Sequence, residues 1–358
     1  GASIGVALAR NYIGFDPLAF DGPVSYTSGQ SKPSSIRKGD LIRLAANSGS
    51  RANEVYEYIG EQEIKAEDKD KDGKLDELIL AQDYADAKKW KQRSTPSANR
   101  IIASVDRSAI TALADPALTL DLTVQADTVQ TIVSKVISGS AAVAGGTVGV
   151  ALSGAGASTT NRVGSETRAF VQRSSGSGID VDGNIVIDAR DRSSIETQVF
   201  AVSLAASFGA AGASFAIGVS LAENSVSSTV TATVDRAVLE ADGDISVKAS
   251  NQAKIDSSST AVAVSFMVGV GAAVSGGGAN AYNTIDTRTL ALIDRSGSDS
   301  VAGTPDTGKT RITVGKTLTV QADGNAEAKA QVLAAAASFG VIAAAAAGTD
   351  SVNTLNPK

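Results

Sequence analysis

The sequence Leu122-Thr-Val-Gln-Ala-Asp127 recurs unchanged as Leu318-Thr-Val-Gln-Ala-Asp323. Two degenerate copies lie between them, Ile185-Val-Ile-Asp-Ala-Arg190 and Ile245-Ser-Val-Lys-Ala-Ser250. Apolar and polar residues alternate in each copy, which is the pattern of a half-buried β-strand. The copies follow one another at similar intervals, of which the last is the longest. This spacing predicts a chain built from repeated units of about 60 residues.

A second strand-like series follows the first with nearly the same period. Its members are Ala103-Ser-Val-Asp106, Ala169-Phe-Val-Gln172, Ala232-Thr-Val-Asp235 and Ala291-Leu-Ile-Asp294. The long last interval of the first series is explained by an insert from Arg295 to Lys309, which is rich in Ser, Gly, Asp and Thr. We expect this insert to form a surface loop.

Between the two strands of each unit lies a polar stretch and then a run of Gly, Ala and Val. The runs are Ser140–Gly156, Val199–Leu221, Ala261–Gly278 and Val332–Gly348. The third contains no charged residue and is long enough to raise the possibility of a transmembrane helix. Because such a run recurs in every unit and lacks flanking basic or aromatic belts, we predict strands and no stable transmembrane span.

An asparagine stands near the end of each run, at Asn161, Asn224, Asn280 and Asn353. A recurrent turn residue that tolerates left-handed φ is one interpretation, and a ladder of asparagines stacked between units is the other.

These patterns predict an all-β fold, a parallel β-helix or β-solenoid of ~60-residue repeats. The small side chains suit closely stacked strands. We assign residues 1–21 to the end of a preceding repeat and 22–99 to an inserted β-rich module. Residues 100–358 hold the repeats, divided at about 100–178, 179–241, 242–310 and 311–358. The sequence leaves open the handedness and the number of strands per coil.

The composition excludes several kinds of chemistry. The chain has no Cys and no His, which removes disulfides, thiolate metal sites and the Ser-His-Asp triad. The net charge of -6 argues against a nucleic-acid partner. We therefore predict that the chain is not an enzyme. If it were one, the candidate carboxylate pairs would be Asp180 with Asp182, or Asp188 with Asp191.

The inserted module contains an aspartate-rich loop, Glu67-Asp-Lys-Asp-Lys-Asp-Gly-Lys-Leu-Asp-Glu-Leu78. Asp68, Asp70 and Asp72 occupy positions 1, 3 and 5 of the EF-hand-type calcium pattern, with Gly73 at position 6. The carbonyl of Lys74 would serve position 7, and Asp76 would serve position 9. Position 12 holds Ile79 instead of Glu, and Glu77 could reach in only by a non-standard geometry. The metal-site prediction is therefore Asp68, Asp70, Asp72, Lys74 and Asp76, with Ca²⁺ as the cofactor; an acidic solvated hairpin tip is the alternative.

Two pieces of the module carry a resemblance. Val55-Tyr-Glu-Tyr-Ile-Gly60 and Leu80-Ala-Gln-Asp-Tyr-Ala-Asp-Ala-Lys-Lys-Trp90 resemble a segment of giant bacterial extracellular repeat adhesins, which are filamentous-haemagglutinin or leukotoxin-like β-helical surface proteins. The repeat element Val219-Ser-Leu-Ala-Glu-Asn-Ser-Val226 is similar to theirs too. The resemblance implies an extracellular location at the bacterial cell surface and no catalytic residues.

The leading functional expectation is therefore a structural or adhesive segment of a large secreted surface protein, used for adhesion or for building an extracellular filament or sheath. Its expected partners are other copies or neighbouring repeats of the same chain, and a host-cell or partner-cell surface or its glycans. Two alternatives remain: a polysaccharide-acting β-helix enzyme, and a pore-forming or toxin segment whose Gly/Ala runs enter lipid.

Overall fold

The computed structural model describes residues 1–14, 24–31, 33–44, 55–65, 78–79, 82, 84, 86, 88–94, 99–112, 119–174, 178–294 and 310–358. Every regular element in these ranges is a β-strand, so the predicted all-β class is confirmed. The chain forms two compact units. The larger unit comprises Gly1–Ile13 with Ala98–Lys358, and the smaller unit comprises Gly14–Ser97.

The larger unit contains very long strands and a few short ones. The long ones are β1 (Ala2–Ile13), β8 (Asn99–Asp106), β10 (Leu122–Gly145), β11 (Val148–Gln172), β13 (Ile185–Asp235), β15 (Ile245–Asp294), β17 (Leu318–Phe339) and β18 (Ile342–Pro357). The short ones are β9 (Ile110–Thr111), β12 (Ile179–Val181), β14 (Val238–Ala241) and β16 (Arg311–Val314). Ala261–Gly278 and Val332–Gly348 lie in strands as predicted, apart from a bend at 340–341.

All strand pairs of the larger unit are parallel, and their register follows the sequence copies. Leu122 pairs with Ile185, Ile185 with Ile245, and Ile245 with Leu318. The second series is aligned in the same way, as Ala103, Ala169, Ala232 and Ala291. Each long strand therefore lies beside the strand that resembles it in sequence, because equivalent side chains then stack on equivalent neighbours.

The long strands fold back on themselves. Ser134 and Thr159 are 25 residues apart, yet their side-chain oxygens are 2.9 Å apart. A straight strand would separate these residues by ~80 Å. The chain thus runs out along one layer and returns along a second layer that faces it. We call these layers the outgoing row (β10, the part of β13 before 209, the part of β15 before 269, and β17) and the return row (β1, β8, β11, the later parts of β13 and β15, and β18).

The fold-back lies inside the Gly/Ala/Val runs. Gly146 and Gly269 have φ values of 135° and 121°, which side chains other than glycine rarely adopt. The expectation that the chain turns at the asparagines is therefore wrong. Those asparagines lie within the return strands, because the chain reverses well before it reaches them, at positive-φ glycines in two of the fold-backs (Gly146 and Gly269).

A short strand follows the return strand of most sequence repeats in the larger unit. The short strands form a separate parallel sheet in the order β16-β14-β12-β9. The chain enters it through a left-handed residue at equivalent positions, Arg107, Arg173 and Arg236, each with φ of 50°. Arg173 also donates two hydrogen bonds of 3.1 Å to Asp106, at the end of the neighbouring strand β8, so this turn is tied to the equivalent turn of the adjacent repeat.

The space between the rows changes character along the strands. Next to the short sheet it is filled by Ile and Val, including Ile185, Ile187 and Val234, all fully buried. Towards the fold-back it is filled by small residues, such as Ala151, Ala205 and Ala216, which are also fully buried. The rows can approach closely there only because the side chains between them are small.

The described residues of the smaller unit form six short strands. They are β2 (Tyr26–Thr27), β3 (Ser35–Ile36), β4 (Leu41–Arg43), β5 (Val55–Tyr58), β6 (Ile64–Lys65) and β7 (Trp90–Ser94). They form a sheet of order β2-β4-β5-β7 and a β3-β6 pair. The core is aromatic: the ring centre of Trp90 lies 5.0 Å from that of Tyr58 and 4.7 Å from that of Tyr84.

The smaller unit interrupts a strand of the return row. Strand β1 pairs with β11 as far as Ile13, which lies beside Val163. Strand β8 continues the pairing from Asn99, which lies beside Ser165. The chain therefore leaves the row and re-enters it with only the position opposite Gly164 unpaired.

Candidate functional site

A ladder of asparagine side chains crosses the return row. Each amide nitrogen donates to the amide oxygen of the next asparagine along the stack. The distances are 2.7 Å from Asn11 to Asn161, 2.8 Å from Asn161 to Asn224, 2.8 Å from Asn224 to Asn283 and 2.9 Å from Asn283 to Asn353. The three central members are buried between the rows. Of the two interpretations of these residues, the ladder is the one found.

Two members of the ladder, Asn11 and Asn283, were not predicted. Asn280 is not in the ladder, and Asn283 takes its place, because Asn283 is in register with Asn224. Asn280 pairs with Leu221 and Asp350 in positions that face outward. The register between β13 and β15 shifts by one position at an irregularity between Phe208 and Ala211. Without this shift Asn224 would lie beside Thr284, so the shift brings Asn283 into the ladder, while Asn280, three positions earlier, faces the opposite side.

Hydroxyl groups connect the ladder to the outgoing row. Thr197 accepts a hydrogen bond of 2.9 Å from Asn161 and donates one of 2.7 Å to Asn224. Nearer the fold-back, serines pair across the interior: Ser140 with Ser153, Ser214 with Ser265, Ser220 with Ser259, and Ser275 with Ser338. These contacts satisfy buried polar groups and hold the two rows together.

A carboxylate is buried in the same interior. Asp191 is fully buried and accepts hydrogen bonds from the hydroxyls of Ser193, at 2.6 Å, and Ser165. Polar atoms in the neighbouring strands, both amide atoms of Gln130 and Oδ1 of Asn251, are buried and have no hydrogen-bond partner within the described ranges. Leaving such groups unpaired costs stability, so this cluster weakens the stack locally.

The structure does not bring Asp188 and Asp191 together. An odd number of positions separates them in one strand, so their side chains point to opposite faces. Asp188 lies on the outer face in an ion pair with Arg190, while Asp191 points inward. Of the other proposed pair, Asp180 lies exposed in β12 beside Glu240, and Asp182 begins the Asp-Gly turn that follows.

A concavity of about 340 Å³ lies on the outer face of the outgoing row. Charged and polar residues line it, among them Arg192, Lys254 and Glu327. Arg192 donates to Asp127 at 2.8 Å. No aromatic ring of the described residues lines it, so the stacking platform on which sugar-binding sites usually depend is missing from this surface.

The predicted calcium ligands Asp68, Asp70, Asp72, Lys74 and Asp76 lie outside the described residues. Ile79, at position 12 of the pattern, is described. Its side chain is fully buried in the aromatic core, and its carbonyl accepts a 2.8 Å hydrogen bond from the Tyr84 hydroxyl. Ile79 is therefore a core residue. Among the residues that the structure does describe, no three acidic side chains are grouped to hold a metal.

Comparisons with known proteins return no match: no family model, no curated protein and no solved structure is similar to the chain. The described part of the chain contains no helix of the length and apolar character that crosses a membrane.

Proposed function

We propose that the chain is a structural segment of a large secreted bacterial surface protein, in which each outgoing strand with its return strand is one coil of a β-solenoid. The segment would serve adhesion or the assembly of an extracellular filament or sheath. The observation that carries the proposal is the parallel register, in which every long strand lies beside its equivalent in the neighbouring sequence unit.

This register supports an elongated solenoid, here called the shaft, because further coils can be added in the same register. Each coil covers the unpaired edge of the coil before it, and the next coil does the same. The asparagine ladder is extended by one amide pair at each step, so the buried hydrogen bonds propagate with the backbone. The interior is filled by side chains, which fits a scaffold better than a substrate chamber.

Calcium binding is part of the proposal. Loop residues Asp68 to Asp76 would hold Ca²⁺ with oxygen ligands and stiffen the smaller unit, in the manner of weak extracellular sites. The resemblance of Val55–Gly60 and Leu80–Trp90 to bacterial adhesins supports the cell-surface location.

Engineered disulfides test the stacking, since the chain has no cysteine of its own. Ser194 and Lys254 are register partners on the outer face of the outgoing row. Neighbouring strands are ~4.8 Å apart, within the Cα separation that a disulfide spans. We expect Ser194→Cys/Lys254→Cys to oxidise to an intramolecular crosslink. Ser194→Cys/Ser258→Cys is the control, because its cysteines are ~13 Å apart along the strand and should stay reduced. Equal crosslinking of both pairs would contradict the register.

Adhesion is tested by immobilising the whole chain and counting attached bacterial or host cells under flow, against an albumin-coated surface. We expect attachment above the albumin level, larger in millimolar calcium than in chelator. Release of unsaturated product from uronic-acid polymers would instead support the enzyme alternative and contradict this proposal.

A further inference from the structure

The return row carries an outer surface without charge next to the fold-back. It spans five strands, in the order β1, β11, β13, β15 and β18. In β13 the uncharged stretch runs from Ala211 to Ala222, and the positions in register with Ala211–Gly218 are uncharged in every neighbouring strand. The surface is apolar and open to solvent, so it lacks a partner among the described residues of the chain.

This surface has ridges and grooves, seen best at the central strand β13. Ile217 and Val219 point outward and are 58% and 49% exposed, although β13 has a neighbour on each side. The cause is the adjacent residues. Ile217 lies between Gly154 and Gly276, and Val219 lies between Gly156 and Gly278. Each large side chain therefore stands above glycines on both sides.

The groove glycines are not required by packing inside the chain. A Cβ atom added to Gly154, Gly276 or Gly278 would meet no heavy atom within 4 Å. None of the three has a positive φ. Glycine weakens a strand interior, and without an internal reason it marks a place where another backbone approaches closely. Fluid lipid chains would not need such grooves, whereas a facing β-sheet would.

The order of ridges and grooves is self-complementary. At the level of Ile217 and Val219, strand β1 carries a ridge (Ile4 and Val6), β11 a groove, β13 a ridge and β15 a groove. Nearer the fold-back β11 and β15 carry exposed large side chains as well, among them Leu152 and Val274, so the grooves are confined to the glycine positions. Consider a two-fold axis in the plane of the surface, parallel to the strands and midway between β11 and β13. It places the β13 ridge of one copy over the β11 groove of the other, and the β1 ridge over the β15 groove. Such an interface uses the same patch on both copies.

We infer that this ridge-and-groove face (Ile4, Val6, Gly154, Gly156, Ile217, Val219, Gly276 and Gly278) binds a second copy of the chain face to face. The two-fold axis superposes the four strands β1, β11, β13 and β15 over the length of Ala211–Ala222, with β1 present only along Ala2–Ala9. At ~3.3 Å per residue and ~4.8 Å per strand this is about 700 Å² for each copy, within the range of a standard protein interface. No side chain in the contact is charged, so no ionised side chain is buried there without a partner. The inference deepens the proposed shaft function, on which it rests, by giving the shaft a lateral contact.

Filling the grooves tests the inference. Gly154→Val/Gly276→Val adds apolar surface and β-propensity without a clash in the single chain. We expect the fold to be at least as stable as the original by thermal unfolding. We expect dimerisation, measured by sedimentation equilibrium of the whole chain, to weaken by at least ~10-fold because the partner's ridges no longer fit. If the copies associated only through general hydrophobic attraction, the groove-filled variant would dimerise more strongly than the original chain.

Gly139→Val is the matched control. Gly139 also faces outward with no heavy atom within 4 Å of an added Cβ, but it lies in the outgoing row. It should leave dimerisation unchanged. The inference is overturned if the original chain stays monomeric, if groove filling leaves the dimer intact, or if Gly139→Val weakens the dimer equally. Flotation of the original and groove-filled chains with phosphatidylcholine vesicles would overturn it too, in favour of lipid. The disulfide test at Ser194 and Lys254 is independent of these outcomes, so a failed contact leaves the shaft proposal standing.

Discussion

At the scale of single residues, Asn224 is the central member of the ladder. It accepts hydrogen bonds from Asn161 and Thr197 and donates one to Asn283, all within the buried interior. Its removal leaves several buried groups short of a partner. A ladder of this kind fixes the register, since a slip of a single position would turn every amide to the opposite face.

We expect Asn224→Ala to lower the free energy of unfolding of the larger unit by about 1–3 kcal/mol for each buried group left unsatisfied. Urea unfolding followed by far-UV circular dichroism measures the change. Asn280→Ala is the matched control, because Asn280 lies on the outer face and its loss should cost no more than ~0.5 kcal/mol. Equal effects of the two substitutions would show that the ladder adds nothing.

Tyr84 gives the smaller unit a dependence on alkaline pH. Burial in the aromatic core raises the pKa of its phenol well above the ordinary value of 10.0. Above pH 10 the unfolded chain loses this proton while the folded chain keeps it. The free energy of unfolding should therefore be constant below pH 10 with respect to this group and fall as the pH rises further. Urea titrations that follow the fluorescence of Trp90, the only tryptophan, report on this unit alone. Tyr84→Phe should flatten the fall; an unchanged slope would assign it to other groups.

How far single residues could be predicted depends on whether the relevant signal was local. The sequence marked Asn161, Asn224 and Asn353 because they recur after the apolar runs. It missed Asn283, because Asn280 is nearer to the end of the apolar run and only the strand pairing shows which of the two asparagines lies beside Asn224. The burial of Ile79 was equally hidden, because it depends on contacts with the aromatic residues of other strands.

At the scale of elements, the fold-back depends on glycine. Gly269 has φ of 121°, and a Cβ added there would lie 1.7 Å from the carbonyl oxygen of Gly209 in the next strand. Both the dihedral angle and the close approach exclude a side chain. The turn is thus determined at one position, although the run around it contains many small residues.

We expect Gly269→Ala to destabilise the larger unit by an amount on the order of 1–3 kcal/mol, through the strained φ and the clash with Gly209. Thermal unfolding by circular dichroism measures it. Gly139→Ala serves as control, since an added Cβ there meets nothing within 4 Å. If both variants melt at the same temperature, the fold-back does not depend on Gly269.

Parallel pairing could be predicted at this scale, and the strand ends could not. Identical hexapeptides at Leu122 and Leu318 imply equivalent positions, and stacking of equivalent positions implies parallel strands. The place of the reversal was assigned to the asparagines instead of the glycines. Alternation continues almost unbroken through each reversal, so the period of the sequence does not change where the chain turns.

At the scale of the whole molecule, we expect the two units to differ in whether their stability depends on dissolved calcium. The stack is held by its own ladders, whereas the smaller unit is proposed to depend on Ca²⁺ at Asp68–Asp76. Calcium should then act on one unit and spare the other.

We expect millimolar CaCl₂ to raise the unfolding temperature of the smaller unit, followed by Trp90 fluorescence, and to leave that of the larger unit unchanged. An ion at ten times its Kd stabilises the folded state by ~1.4 kcal/mol. Asp70→Asn/Asp72→Asn should abolish the shift. Glu61→Gln, which removes an exposed acid of the same unit paired with Lys38, should retain it. A calcium shift that survives the double substitution would place the ion elsewhere.

The interruption of the return row between Ile13 and Asn99 has a consequence for the way such a chain diversifies. The partners of these residues, Val163 and Ser165, are two positions apart, so the ends of the interruption lie ~7 Å from each other. Any domain whose termini are equally close could be inserted between Ile13 and Asn99 without disturbing the strands on either side. The cost of a longer excursion grows only with the logarithm of its length. One solenoid scaffold could in this way carry different inserted domains, exchanged by recombination at the positions that follow Ile13 and precede Asn99.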